Sequence, residues 1–157
     1  MKIQCWSVGK SHEPYVKDGI NDFTQRINKY FKAEWQLIAA PKHAASLSEK
    51  DLKIAESNAI LPLLLKDDYL VLLDERGKQF TSPGLANFLQ QRALESSKRV
   101  IFLIGGAFGV DEQIHQRANY VWSLSPLVFP HMLVRLILAE QIYRACTILK
   151  NEKYHHI

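Results

Sequence analysis

The residues best able to do chemistry lie in the second half of the chain. Three apolar runs there end in turns that bare the backbone: Leu73-Asp74-Glu75-Arg76-Gly77, Gly105-Gly106-Ala107-Phe108-Gly109, and Leu124-Ser125-Pro126-Leu127-Val128-Phe129-Pro130. Glycine after a buried strand permits a positive φ or lets backbone approach a ligand. The plainer reading of such a pair is a tight turn. Further on, His131, Arg135, Glu140 and Arg144 sit among the apolar residues of one helical stretch, and the chain closes on Asn151-Glu152-Lys153-Tyr154-His155-His156-Ile157. This end reads either as a solvated helix face with a frayed terminus or as a phosphate-contacting patch in which Tyr and His stack and hydrogen-bond.

Spacing removes several chemistries. The Gly105–Gly109 run is not the dinucleotide fingerprint GxGxxG, and it follows the fourth predicted strand rather than the first. No GxxxxGK[ST] phosphate loop and no GxSxG nucleophile elbow occurs. His131 and Arg135 share a helix face without an HExxH beside them, and the six histidines lack zinc-ligand spacing, so no metal is expected. Cys5 and Cys146 are the only cysteines and lie far apart, which leaves no CxxC pair and marks both as core residues.

The elements that position these turns follow from the rest of the chain. A chain of 157 residues makes one domain and buries about two-thirds of its unfolded surface. Hydrophobic residues at 47% and charged residues at 23% exclude a disordered tail, a collagen-like fibre and a disulfide miniprotein. A formal charge of +4 agrees with a polyanionic partner without requiring one. The start carries no signal-peptide pattern. The longest apolar run, Ile60–Leu65, falls far short of the ~20 residues of a membrane span, so no membrane partner and a soluble, cytoplasmic protein are expected.

Periodicity alternates between strand and helix. Lys2–Val8 reads as a strand; Val16, Ile20, Phe23, Ile27 and Phe31 mark a helix face. Ala33–Ala40 reads as a second strand through Trp35, Leu37 and Ala39. Ser48 with Asp51 opens a helix carrying Leu52, Ala55 and Ala59, which Pro62 ends. Tyr69–Asp74 and Val100–Ile104 are apolar on both faces, the mark of parallel strands covered on both sides by helices. Ser82-Pro83 reads as cap and first turn of a helix buried through Leu85, Phe88 and Leu89. Asp111 opens a short helix, Tyr120–Leu124 is the last strand, and Pro130 opens the final helix to about Leu149. The class is α/β with a mostly parallel sheet, and ligands then bind beyond the carboxyl ends of the strands.

Taken together and in order, LLDERGKQFTSP, FLIGGAFGV, WSLSPLVFPHMLVRLILAEQIYRA and a terminal YHH resemble the RlmH family over the whole chain. These are ribosomal large subunit pseudouridine methyltransferases, the smallest of the SPOUT class. The resemblance implies a single SPOUT-type domain over 1–157 with a deep C-terminal trefoil knot in roughly 70–157, an exception to the rule of un-knotted connections. It implies a homodimer packed through the knot, bent S-adenosyl-L-methionine as cofactor, and N3-methylation of pseudouridine 1915 in 23S rRNA, on assembled ribosomes. Carried over by motif, the cofactor contacts are Leu73, Gly105, Leu124, Ser125, Pro126, Leu127, Val128 and Phe129. Leu73, Leu124 and Leu127 would offer a slot for the purine, and Gly105 would clear room where a side chain would collide.

Methyl transfer from a sulfonium is an in-line displacement, so such an enzyme mainly positions and desolvates its reactants. The N3 imide must lose its proton to attack; His131, Glu140 and His155 are the candidate bases, while Arg135, Arg144, Tyr154 and His156 are the candidate RNA contacts. Family tails often read Tyr-His-Arg, whereas this chain has His156 last in that triplet, mostly uncharged at neutral pH. The rival readings are a knotted methyltransferase acting on tRNA or another RNA, and a non-catalytic ribosome-binding factor. A nucleotide-binding oxidoreductase has poor support in the glycine spacing.

Overall fold

The structure, a computed structural model, describes residues 1–156. Five strands, β1 (Lys2–Val8), β2 (Lys32–Ile38), β3 (Tyr69–Gln79), β4 (Arg99–Ile104) and β5 (Tyr120–Ser123), form one sheet in the order β2-β1-β4-β3-β5. Every pairing is parallel, so the mostly parallel sheet of the sequence reading is wholly parallel. Five α-helices connect or follow the strands: α1 (Pro14–Ile27), α2 (Glu49–Ile60), α3 (Ser82–Leu94), α4 (Glu112–Arg117) and α5 (His131–Leu149).

The strands bury both faces, and period-two alternation sorts their side chains. Ile3, Cys5, Val71, Val100, Phe102 and Ile104 pack with Leu85 and Leu89 of α3 and with Leu138, Ile142 and Cys146 of α5. The intervening Trp6, Leu70, Leu72, Ile101 and Leu103 pack on the other face with Ile60 of α2 and Ile114 of α4. Each fully buried Leu, Ile or Phe contributes about 1.5–3 kcal/mol relative to an exposed one. Cys5 and Cys146 are free and buried in one cluster, which holds both thiols in their neutral, unreactive form.

Local signals explain most boundaries. Ser48 Oγ accepts from the Asp51 amide at 3.1 Å and Asp111 Oδ1 from the Ile114 amide at 3.3 Å, the caps of α2 and α4. Helix α3 is capped one residue earlier than its Ser-Pro pair indicates: Thr81, in extended conformation, accepts from Gly84 at 3.0 Å, and Ser82 turns instead to Gln141 of α5. Strand β2 stops at Ile38 and leaves Leu37 exposed, because an edge strand buries less than its alternation implies. Phe31 lies past the end of α1. In α2 the buried face is Leu52, Glu56, Ser57 and Ile60, with Ala59 packed half-buried against the core and Ala55 half-buried.

Strand β3 is longer than Tyr69–Asp74. It pairs with β4 as far as Leu73, shifts register, and resumes beside β5 at Lys78 and Gln79. Gly77 makes that return possible, since a Cβ there would stand 2.5 Å from the Val121 carbonyl oxygen.

Candidate active site

At the carboxyl ends of β3, β4 and β5 three turns enclose a cleft of about 490 Å³, within the usual range of roughly 300–1,000 Å³ for small-molecule sites. Leu72, Leu73, Ile104 and Trp122 supply apolar walls. Of the eight expected cofactor contacts, Leu73, Gly105, Leu124, Ser125, Leu127, Val128 and Phe129 line it, and Pro126 does not. A wider groove opens beside it along α2 and α4; Lys53, Asp74, Arg76 and Val110 belong to both.

The first turn is stiffened by charge. Asp74 accepts from the Arg76 amide at 2.9 Å and from its guanidinium at 2.9 and 3.1 Å, with His115 Nε2 at 3.5 Å. The Arg76 guanidinium holds the Asp74 carboxyl below the usual carboxylate range. The second turn is held by backbone: the Gly109 amide donates to the Gly106 carbonyl at 3.0 Å, and Gly109 has φ +83°. A Cβ on Gly105 would come within 2.8 Å of Val110 Cγ1. That glycine therefore lets the turn close on itself, a different reason from the ligand clearance inferred from sequence. In the third turn Ser125 Oγ accepts from the Leu127 amide at 3.0 Å and the Ser125 carbonyl accepts from Ser123 Oγ at 3.0 Å. This leaves Leu127 and Val128 exposed at 69% and 80%, an apolar rim.

His131, the first residue of α5, lines the cleft beside Gly106. Burial, then the Arg135 charge, pushes its pKa below the ordinary imidazole value. It is neutral at pH 7 and fit to accept a proton.

Arg135 is placed otherwise than an RNA contact requires. It is 1% exposed, and its guanidinium donates to Ser7 Oγ at 3.0 Å, to the Lys10 carbonyl at 2.9 Å and to His12 Nδ1 at 3.2 Å. It ties α5 to the turn after β1. The stripe Arg135, Leu138, Ala139, Ile142, Ala145 and Cys146 is the buried face of α5, and the arginine falls on it.

Glu140, Arg144, Tyr154 and His155 form a second polar cluster. Arg144 Nε and Nη2 and the Tyr154 hydroxyl all donate to Glu140 Oε1, while Gln141 donates to Oε2 at 2.8 Å. Arg144 also stacks on the Tyr154 ring at 4.8 Å and lies 3.3 Å from His155 Nδ1. A guanidinium only donates, so His155 Nδ1 is the acceptor there and its proton sits on Nε2. Burial, then Glu140, raises the Tyr154 pKa, keeping its hydroxyl a donor. His156 is exposed beside this cluster.

These groups do not form one site within the chain. Glu140 follows His131 by nine residues, roughly 13 Å along the helix and about half a turn around it. Of the three candidate bases only His131 lines the cleft. Sequence reasoning left unassigned Gly106, Phe108, Trp122 and the Asp74–Arg76–His115 group, and missed Glu56 beneath the second turn. A signal for Glu56 existed, since Leu52, Glu56 and Ile60 repeat every four residues on the buried face of α2.

Known proteins resemble this chain over its whole length. A family profile described as "Predicted SPOUT methyltransferase" matches residues 1–155. A "Ribosomal RNA large subunit methyltransferase H" of Cytophaga hutchinsonii is 42% identical over 156 residues, covering 99% of this chain and all of that one. Proteins of the same name from Parabacteroides distasonis and Desulfitobacterium hafniense are 42% and 38% identical, each covering 99% of both chains. Among solved structures, a probable methylase family protein of Haemophilus influenzae Rd KW20 superposes with TM-score 0.56 at 12% identity, over 97% of this chain and 67% of that one. A probable methyltransferase of Bordetella pertussis Tohama I gives 0.52 at 12% identity, over 92% and 93%. The two structures share the fold.

Proposed function

The chain belongs to the SPOUT methyltransferases, within the ribosomal RNA large subunit methyltransferase H family, and we propose that it methylates N3 of pseudouridine 1915 in 23S rRNA on assembled ribosomes in the cytoplasm. The observation that carries this reading is the cleft at the strand ends, lined by seven of the eight residues expected at the cofactor. S-adenosyl-L-methionine, when bound, supplies an electrophilic methyl group on sulfur.

The residues present fit that donor. Leu73, Leu124 and Leu127 border a slot of apolar character for a purine, and the three turns offer amides and carbonyls for its polar edges. The remaining task is to place the imide and take its proton. His131, neutral and inside the cleft, is the base this arrangement favours. Glu140 has both oxygens committed to donors, so its role is to hold Arg144 and Tyr154 in position. Arg144, Tyr154, His155 and His156 then face the RNA, and Arg135 braces α5 from within.

The reading includes a homodimer, because His131 and the tail cluster stand on opposite sides of α5 and a second copy can bring one chain's tail to the other's cleft. The apolar rim of Phe108, Leu127 and Val128 suits such packing. It also includes a single domain whose C-terminal part, roughly 70–157, is threaded as a trefoil knot.

The test is transfer of labelled methyl from S-adenosylmethionine to ribosomes lacking the modification, with the product nucleotide mapped. Free large subunits, naked 23S rRNA and bulk tRNA run alongside. Label on the one pseudouridine, strongest with assembled ribosomes, is the expected result. Label on tRNA moves the substrate, and cofactor binding with no label on any RNA contradicts the assignment.

A further inference from the structure

Glu56 is the one acid of α2 that points inward. It is 4% exposed, it makes no ion pair among the described residues, and its Oε2 is buried without a hydrogen-bond partner. An ionised carboxylate so placed is strongly penalised unless something compensates it. Its neighbour is the second turn of the cleft: a Cβ added at Gly106 would collide with both carboxyl oxygens and with the carboxyl carbon. The Gly106 amide faces that carboxyl and favours its charged form, and His131 of α5 lines the cleft at the same turn. The Gly106 carbonyl also accepts from Gly109.

We infer that Glu56 is a positioning residue of the donor site: its buried carboxyl clamps the Gly106 peptide and so fixes the Gly105–Gly109 turn between α2 and α5. The inference rests on the reading of that turn as part of the cofactor cleft. The second glycine of the pair is then specified by a carboxyl beneath it and not by the ligand above it. Burial pushes the Glu56 pKa up, with the Gly106 amide opposing it. A neutral glutamine is therefore a fair substitute, since it keeps an acceptor for the same amide, whereas an apolar side chain of similar volume fills the space and leaves the amide unpaired.

The test compares Glu56→Met and Glu56→Gln with the unaltered protein for donor binding by calorimetry, donor KM, kcat at saturating donor, and melting temperature. Expected for Glu56→Met is a donor Kd and KM raised about tenfold, with kcat within about threefold and melting close to wild type. Glu56→Gln should bind within about threefold of wild type. Wild-type donor binding by Glu56→Met overturns the clamp. Equal loss by both variants together with a lower melting temperature overturns it in favour of a packing role. Failure of the unaltered protein to bind donor removes the cofactor reading itself, and the inference with it. Amide exchange gives a check without a variant: Gly106 should exchange at least about tenfold more slowly than a free peptide amide, and free exchange overturns the clamp.

Discussion

Along the carboxyl edge of β3, β4 and β5 the chain offers backbone: glycines, a serine turn and apolar walls, with His131 the imidazole that lines the cleft. Nine residues further along α5 and half a turn around it, Glu140, Arg144, Tyr154 and His155 offer side chains, joined by hydrogen bonds that converge on one carboxylate. A backbone-built cleft suits a ligand that is always the same, because turns fix amides and carbonyls without rotamer freedom. A side-chain cluster suits phosphates, sugars and a base whose charge must be steered. The two regions should therefore fail differently: damage to the cleft shows in donor binding, damage to the tail in transfer to RNA.

The largest effect should come from the hub of the tail. Glu140→Ala frees Arg144, Tyr154 and Gln141 together and should lower the single-turnover rate at saturating donor by about 10²-fold or more, with donor affinity within about threefold. Loss of donor affinity in this variant would erase the distinction between the regions.

Next comes His131, which belongs to the cleft but acts on transfer. Its pKa lies below the ordinary imidazole value, so it is neutral and able to accept a proton at pH 7 and above, and becomes protonated as the pH falls. The rate–pH profile should be flat from pH 7 to 8 and decline on the acid side with a midpoint under about 6.5. His131→Gln should remove that limb and cost about 30-fold in rate. An unchanged acid limb in the variant would take proton transfer away from His131.

A smaller change is expected of Gly105→Ala. The added methyl meets Val110 Cγ1 at 2.8 Å and the turn must shift. Donor KM should rise about tenfold with kcat nearly unchanged; a fall in kcat alone would contradict the donor role of that turn. The smallest effect is a gain. His156→Arg adds a fixed cation to the exposed tail, and the slope of log affinity for rRNA against log salt should steepen by about 0.7–0.9.

Much of the frame was legible. The buried parallel strands follow from runs such as Val100–Ile104, and Ser48 and Asp111 mark their helix starts as local chemistry requires. The seven cleft residues came with the family resemblance, whose motifs sit in the turns after buried strands. What was hidden depends on distant partners. Nothing in Glu75-Arg76-Gly77-Lys78 announces a strand, since β3 continues there only because β5 approaches its backbone at Gly77. Arg135 reads as a surface cation until β1 supplies Ser7, and the turn after it Lys10 and His12, to receive it. Glu56 reads as one more helix carboxylate until Gly106 is laid against it. The strand order, with β2 to β3 passing over β1 and β4, is likewise a property of the assembled sheet.

The most direct test of the two-region account is subunit mixing. A chain disabled in the cleft, Gly105→Val, and a chain disabled in the tail, Glu140→Ala, are each purified, mixed under conditions that exchange protomers, and assayed for methyl transfer to unmodified ribosomes. If one chain's cleft works with the other chain's tail, random pairing makes about half the dimers mixed, each with one whole site, and about a quarter of wild-type activity should return. Activity that stays at the level of the separate variants, although mixed dimers have formed, would mean that each site is built within one chain.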